Sequence, residues 1–355
     1  MLRRTFAVPA MTLALCGLAT ADAMAAGQRS FVASNGNDGN PCTLQLPCRS
    51  FAPAIAQTNA GGEVIVLDSA GYGSLTITKS ISIIAPPGVY AGLSPTAGQD
   101  GVSVSAGASD KVVMRGLTIN GQGGDNGIVV NSGGQVHIEQ CTVSNMSADG
   151  IRINGGGQIF IGSSIVRSNA SDGLEMAGGT PRVEVIDSQF ARNAAFGIRV
   201  RVGTLNAEGI AVNANGSGVY LDHPAAGTTA VVTLANSVVS GNGSDGATLS
   251  AETMGGTARM TVVRSTVARN DGHGLGMSAF SATGVLTVSD SAIVDNTAHG
   301  LFINGGNASV VVTRSTLTGN GFFEALQGFS ALLQSTRNNT TIGPSDGTIT
   351  PLAQF

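Results

Sequence analysis

The sequence predicts a coil of parallel β-structure, and three observations lead there. Glycine supplies 51 of the 355 residues, about twice the usual ~7%. From about residue 112 a glycine followed by an apolar, any, apolar triplet recurs at Gly127, Gly150, Gly173, Gly197, Gly218, Gly246, Gly274 and Gly300, at intervals of 21 to 28 residues. Within each interval apolar and polar residues alternate with period two, not 3.6. Repeats of this length belong to solenoids, whose units can bury their apolar faces only against neighbours.

Each unit carries three short alternating runs. After the glycine come pairs such as Ile151/Ile153, Leu174/Met176, Ile198/Val200 and Val219/Leu221. A second pair follows, as in Val136/Ile138, Ile159/Ile161 and Val183/Val185, and a third starts three residues beyond it, as in Ser164/Val166 and Ser188/Phe190. Alternation over runs this short predicts strands with one buried face. A leucine-rich repeat would need an L-x-x-L-x-L pattern, and a propeller blade ~40 residues with four strands.

The corners repeat as well. Asn169, Asn193, Asn242, Asn270 and Asn296 stand four residues before their glycine, and Asn215 stands three before Gly218. Coils stack ~4.8 Å apart, so like side chains are expected to hydrogen-bond in files, with Asn tolerating left-handed backbone and satisfying turn amides with its side chain. Ser164, Ser188, Ser237, Ser265, Ser291 and Ser315 form a second file. Cys141 falls in that file, which predicts a buried, inert thiol.

Composition narrows the function. Only 11% of residues are charged and the formal net charge is -4, which argues against a nucleic-acid binder. Frequent Val, Ile and Leu argue against disorder. Residues 1–25 read as a signal peptide, with Arg3 and Arg4, an apolar stretch from Met11 to Leu18, and Ala23-Met24-Ala25 as the cleavage site. That run is too short to cross a bilayer. The expectation is an exported bacterial protein, periplasmic or extracellular, monomeric and without a transmembrane segment once processed. Cys42 and Cys48 bracket a loop that a disulfide can close in such a compartment. Zinc is disfavoured, because two thiolates without a nearby His are too few ligands.

The coil pattern over roughly residues 60–320 resembles the right-handed parallel β-helix of the pectate-lyase-like superfamily. So does the head, with Phe31-Val32-Ala33-Ser34-Asn35-Gly36-Asn37-Asp38, Pro47-Cys48-Arg49-Ser50-Phe51, the amphipathic Ala54-Ile55-Ala56, and Gly61-Gly62-Glu63-Val64-Ile65-Val66 opening the first coil. The resemblance implies ten to twelve coils, with a short strand and helix over the N-terminal end. A plug is physically needed, since an open end exposes apolar core and strand edges. The expected organisation is thus 1–25 signal peptide, 26–60 strand and capping helix with the Cys42–Cys48 disulfide, 61–320 β-helix, and 321–355 C-terminal cap and irregular tail. Phe322, Phe323, Leu326 and Phe329 are the expected second plug.

Members of that superfamily bind polysaccharide along the sheet that follows the repeat glycines. Here its outward positions hold Arg152, Glu175, Arg199, Arg201, Tyr220 and Asp222, with His223 adjacent. The other two faces offer mainly threonine, such as Thr233, Thr261, Thr287, Thr142 and Thr266, which predicts plain solvated wall. Arg forks and a Tyr ring suit acidic or neutral sugars. The same charges also read as ion pairs worth ~0–1 kcal/mol, Arg152 with Glu175 and Arg199 with Asp222 across one intervening coil. An Arg264, Asp290, Arg314 file is expected to pin register at one corner.

Asp149, Asp172 and Asp245 each precede a repeat glycine, where Asp makes turns. Asp149 and Asp172 are also candidate Ca²⁺ ligands. Lyase chemistry in the superfamily, as the resemblance implies it, uses Ca²⁺-bound carboxylates to acidify a uronate C5 proton and an arginine as base. Arg199 would be that base, with Glu175, Asp172 and Asp222 as ligands. Neither a W-x-D-H nor an R-x-P-x-x-R signature is present, and His273 in Gly272-His273-Gly274 sits on a repeat turn, as does His299. The reading is therefore a protein that binds a polysaccharide or cell-surface glycan, or serves as a scaffold, with no required cofactor. The alternative is a polysaccharide lyase or related carbohydrate-active enzyme, with Ca²⁺.

Overall fold

The computed structural model describes residues 27–222, 226–252, 255–336 and 338–352. The expected signal peptide and His223 lie outside them. Three parallel sheets of 14, 12 and 12 strands wrap one apolar core. Every turn of the coil adds one strand to each sheet, here called the first-, second- and third-strand sheets in the order the chain visits them after a repeat glycine. Neighbouring strands come from successive turns and pair in register, as in Ile151↔Leu174, Arg152↔Glu175 and Ile153↔Met176. Inward residues such as Ile151, Ile153, Ile161, Val166 and Val185 are fully buried.

The helix Phe51–Gln57 buries Phe51, Ala54 and Ile55 at the N-terminal end. Strand Gly27–Val32 pairs in parallel with Thr58–Val66 and extends the second-strand sheet over it. Cys42 and Cys48 form the expected disulfide.

Close packing at the corner explains the glycine repeat. A Cβ on Gly150 would lie 2.3 Å from Val166 Cγ1 and 2.8 Å from the Gly173 carbonyl oxygen. No side chain fits where the chain enters the first strand, so only glycine lets successive turns approach this closely.

The asparagine file is continuous and buried. Asn193 Nδ2 donates to Asn215 Oδ1 at 2.9 Å, Asn215 Nδ2 to Asn242 Oδ1 at 3.1 Å, and Asn242 Nδ2 to Asn270 Oδ1 at 2.9 Å. It extends through Asn296 to Asn320. Each Oδ1 also accepts the backbone N–H of the preceding Asn, as Asn242 Oδ1 does from Asn215 at 3.0 Å. The left-handed backbone, however, falls one residue earlier, on Ser168, Arg192, Ala214, Arg269 and Asp295. The Asn side chains satisfy the turn amides as expected, and the residue before each of them takes the positive φ.

The serine file behaves as expected. Ser164 N–H donates to Ser188 Oγ at 3.1 Å and Ser265 N–H to Ser291 Oγ at 3.1 Å. Cys141 N–H donates to Ser164 Oγ at 3.1 Å. The Cys141 thiol is buried, and that burial pushes its pKa up to about 11. At the corner file Arg314 holds Asp290 through two bonds, whereas Arg264 Nε donates to Asn236 Oδ1 instead.

The C-terminal segment differs from a plug with an irregular tail. Short strands continue the coil through Ala325–Gln327, Leu332–Ser335, Thr340–Ile342 and Ile349–Pro351. Phe322 and Phe329 are 65% and 74% exposed, so they do not close the core. Phe329 lies in the turn before strand Leu332–Ser335, with a positive φ of 46°.

Candidate functional site

The outward charges of the first-strand sheet meet on consecutive turns. Strands Ile151–Ile153, Leu174–Met176, Phe196–Val200 and Ser217–Leu221 align Arg152, Glu175, Arg199 and Tyr220 in one file. Arg201 and Asp222 stand just beyond the third and fourth strands. Asp149 and Asp172 stand two residues before the first and second, at the corner.

Six of these groups form one chain of ion pairs. Arg152 Nη1 donates to Asp149 Oδ2 at 2.9 Å and also to Glu175 Oε2. Arg201 Nε donates to Glu175 Oε1 at 2.8 Å, and Arg201 Nη1 lies 3.4 Å from Asp222 Oδ2. Arg199 Nε and Nη2 donate to the same Asp222 oxygen at 3.1 and 2.5 Å. Arg199 and Asp222 are on adjacent turns, not separated by an intervening one, because Asp222 follows the strand paired directly with that of Arg199. Three guanidinium groups thus balance three carboxylates. Glu175, an outward residue, is only 4% exposed because Arg152 and Arg201 cover it.

Asp172 is the carboxylate left over. It is 2% exposed, and its Oδ1 accepts the Phe196 N–H at 3.0 Å. Burial, together with the charges of Asp149 and Glu175, pushes its pKa up to about 6, against the opposing pull of the Phe196 amide and Arg199. Asp172 is thus a buried carboxyl that exchanges its proton closer to neutral pH than an ordinary aspartate does.

An aromatic pair borders the network. The Phe196 and Tyr220 rings stack with centroids 4.8 Å apart, and the Arg199 guanidinium lies 5.3 and 5.9 Å from them. Tyr220 titrates above its ordinary value, chiefly because of burial.

One oxygen each from Asp149, Asp172 and Glu175 lies within 4.8 Å of the others, which raises the question of a cation. A Ca²⁺ ion takes ~6–8 oxygen ligands. Here Asp149 Oδ1 accepts the Asp172 N–H at 3.0 Å, Asp172 Oδ1 is taken by Phe196, and Arg152 bridges Asp149 to Glu175. The Arg152 guanidinium lies between two of the three carboxylates, so a cation bound by all three would have to displace it.

The turn position of Asp149 and Asp172 has the same job farther along. Asp245 Oδ1 accepts the His273 N–H at 2.8 Å, His273 Nδ1 accepts from His299, and His299 Nδ1 accepts from Phe323, each at 3.2 Å. His273 is thus a turn residue, stacked on His299 and Phe302.

The residues that the sequence singled out do come together. What it missed is the second-strand sheet, where His137, Phe160 and Arg182 surround a cleft on the middle turns. The signal was present as outward residues larger than threonine on three successive turns.

The sequence profile of the family described as right-handed β-helix region matches residues 126–282 and 250–343. Among solved structures, the A-module of the Azotobacter vinelandii mannuronan C-5 epimerase AlgE6 is 15% identical, covering 80% of this chain and 91% of its own, with a TM-score of 0.50. Tailspike protein 3 of bacteriophage CBA120 is 11% identical over 91% of this chain and 61% of its own, with a TM-score of 0.53. Pectate lyase Pel9A is 17% identical over 90% and 78%, with a TM-score of 0.45. Curated protein sequences give no match. These likenesses are likenesses of fold.

Proposed function

The chain belongs to the right-handed β-helix family, and from that premise we propose that it is an exported protein that binds a saccharide chain along its first-strand sheet. One observation carries the reading. In a chain with 11% charged residues, three arginines, four carboxylates and a stacked aromatic pair gather on consecutive turns of one face. A structural wall does not require them, since the same file carries the uncharged Thr76, Ser103, Val129, Thr248 and Gly276 on other turns. A sugar ring passing over Tyr220 would meet the Arg199 fork beside it, and hydroxyl or carboxylate groups can exchange with Asp222 for that fork. No helix among the described residues is long and apolar enough to cross a membrane, which is compatible with export.

A second reading is favoured by Asp172. A buried carboxyl with its pKa near 6 beside an arginine suits proton transfer, as in β-elimination on a uronate. There the C5 proton leaves to a base, the C4–O4 bond breaks, the C4=C5 double bond forms, and the departing oxygen takes a proton.

Incubation with polygalacturonate and alginate, with and without Ca²⁺, separates the two. Rising absorbance from unsaturated products marks the lyase. Binding without product, lost in an Arg199→Ala, Tyr220→Ala double variant, marks the binding protein. Binding that survives the double variant, with no product, refutes this site for either role.

A further inference from the structure

The outward face of the second-strand sheet changes character along the axis. Toward the C-terminal end its middle file reads Thr233, Thr261, Thr287 and Val311, a wall of small β-branched side chains. Over the middle turns the same file reads His137, Phe160, Glu184 and Asn206, after the small Ser82 and Val113. The file beside it reads Lys111, Gln135, Gln158 and Arg182. The fold does not need long planar groups in the middle file, because Thr233, Thr261 and Thr287 fill it farther along, while the neighbouring file continues through Thr204, Val231, Arg259 and Val285.

They enclose a cleft of about 350 Å³, and a second hollow of about 510 Å³ adjoins it across Phe160. Phe160 is seated by its own strand. A Cβ on Gly162 would lie 2.6 Å from Phe160 Cε1, so the ring rests over bare backbone, tilted against His137 at 5.7 Å. Across the cleft, the side chains of Lys111, Gln135, Gln158, Arg182, Glu184 and Asn206 have no hydrogen-bond or ion-pair partner among the described residues. The contrast with the first-strand face is direct, since every arginine there is already paired.

We propose that this face is a second glycan site, which holds an extended oligosaccharide bearing carboxylates, with one sugar ring on Phe160 and the carboxylates on Lys111 and Arg182. Those two cations are three turns apart in register, ~14 Å at ~4.8 Å per turn, a span that a short oligosaccharide lying along the axis covers. Gln135 and Gln158 lie between them and offer both donors and acceptors to ring hydroxyls. Two free cations outnumber the one free carboxylate, Glu184, because Glu139 is held by Arg115 at 2.8 Å. That balance selects an anionic chain. The net charge of -4 disfavours the phosphate backbone of a nucleic acid as its source. The site shares no residue with the first-strand network and does not depend on it.

The test uses the full chain in an Arg199→Ala, Tyr220→Ala background, which silences the first-strand face. Calorimetric titration with tetragalacturonate and with tetramannuronate should show saturable binding of at least one, and weaker or no binding of neutral cellotetraose. Adding Phe160→Ala or Arg182→Gln should each weaken that binding tenfold or more. Arg182 is exposed, so its variant tests the site without disturbing the core. Failure of both acidic probes to bind in that background overturns the proposal, as does binding that neither Phe160→Ala nor Arg182→Gln reduces. Neither outcome bears on the first-strand reading, which the original double variant tests alone.

Discussion

Replacing Asp172 by Asn separates the two things this side chain does. As a turn residue it accepts the Phe196 N–H through Oδ1, and an amide oxygen can do the same. Asn126 already fills the equivalent position one turn before Asp149, whose N–H it accepts at 3.2 Å. As an acid it is the surplus carboxylate, with its pKa raised from 3.8 to about 6. The shift is about two pH units, so at ~1.36 kcal/mol per unit the folded chain holds this proton ~3 kcal/mol more tightly than the unfolded chain. The sign follows from that. Wild type carries a stabilising increment that is complete below the unfolded pKa and is lost as pH rises through about 6. The Asn variant is neutral throughout, so it should match wild type near pH 4 and exceed it by ~3 kcal/mol above pH 7. With ~2.1 cal/mol/K of unfolding entropy per residue, that margin is ~4 °C in Tm for a chain of this length. Melting curves by far-UV dichroism at four pH values between 4 and 7.5 give the difference directly. A variant whose stability follows the wild-type pH slope, or falls below wild type at pH 7.5, refutes the account of Asp172 as an unpaired buried acid.

Further outcomes follow from the ladders and the head. Asn242→Ala removes the acceptor for the Asn215 N–H and Nδ2 and the donor to Asn270, all buried; urea unfolding should show a loss of ~3 kcal/mol, and a loss below ~1 kcal/mol would mean the file contributes little. Replacing both Cys42 and Cys48 by Ser opens a short closed loop at the head and should cost ~2 kcal/mol, read as a lower urea midpoint in the oxidised but not the reduced protein. His273 and His299 titrate below 6.5, chiefly because of burial, and their Nδ1 atoms accept backbone amides only when unprotonated. Their depressed pKa values give a stabilising increment that is present above pH 6.5 and lost as pH falls through the folded values. Amide exchange at His299 and Phe323 should therefore accelerate on acidification more than at Asn242; equal acceleration along the coil would refute the local effect.

The columns explain what could be read from one sequence. A β-solenoid brings each residue beside its equivalent one turn away, so the file Arg152, Glu175, Arg199, Tyr220 was legible from spacing alone. Pairing was less legible, because Asp222 lies past the end of its strand and its reach to Arg199 depends on the turn that follows. The position of the left-handed residue was not legible for a related reason. Spacing locates the Asn of the corner but does not tell which residue of the turn takes positive φ. The charge excess at Asp172 was beyond reach, since it depends on which arginine takes which carboxylate.

The cleft around Phe160 escaped for a different reason. Its residues occupy the same outward positions as Thr233 and Thr261, and a strand pattern reports only that a position faces outward. A wall of threonine in the later turns made the whole face look inert. The informative quantity is the change along one file, from His137, Phe160 and Glu184 to a run of threonine. In a solenoid the core repeats, so outward substitutions are free of it, and each face can be functionalised over a few turns without altering the coil. Two independent surfaces on one rod are then physically compatible. Stability should accordingly be insensitive to Arg182→Gln and sensitive to Asp172→Asn, because only Asp172 has its charge buried among the turns that hold the coil together.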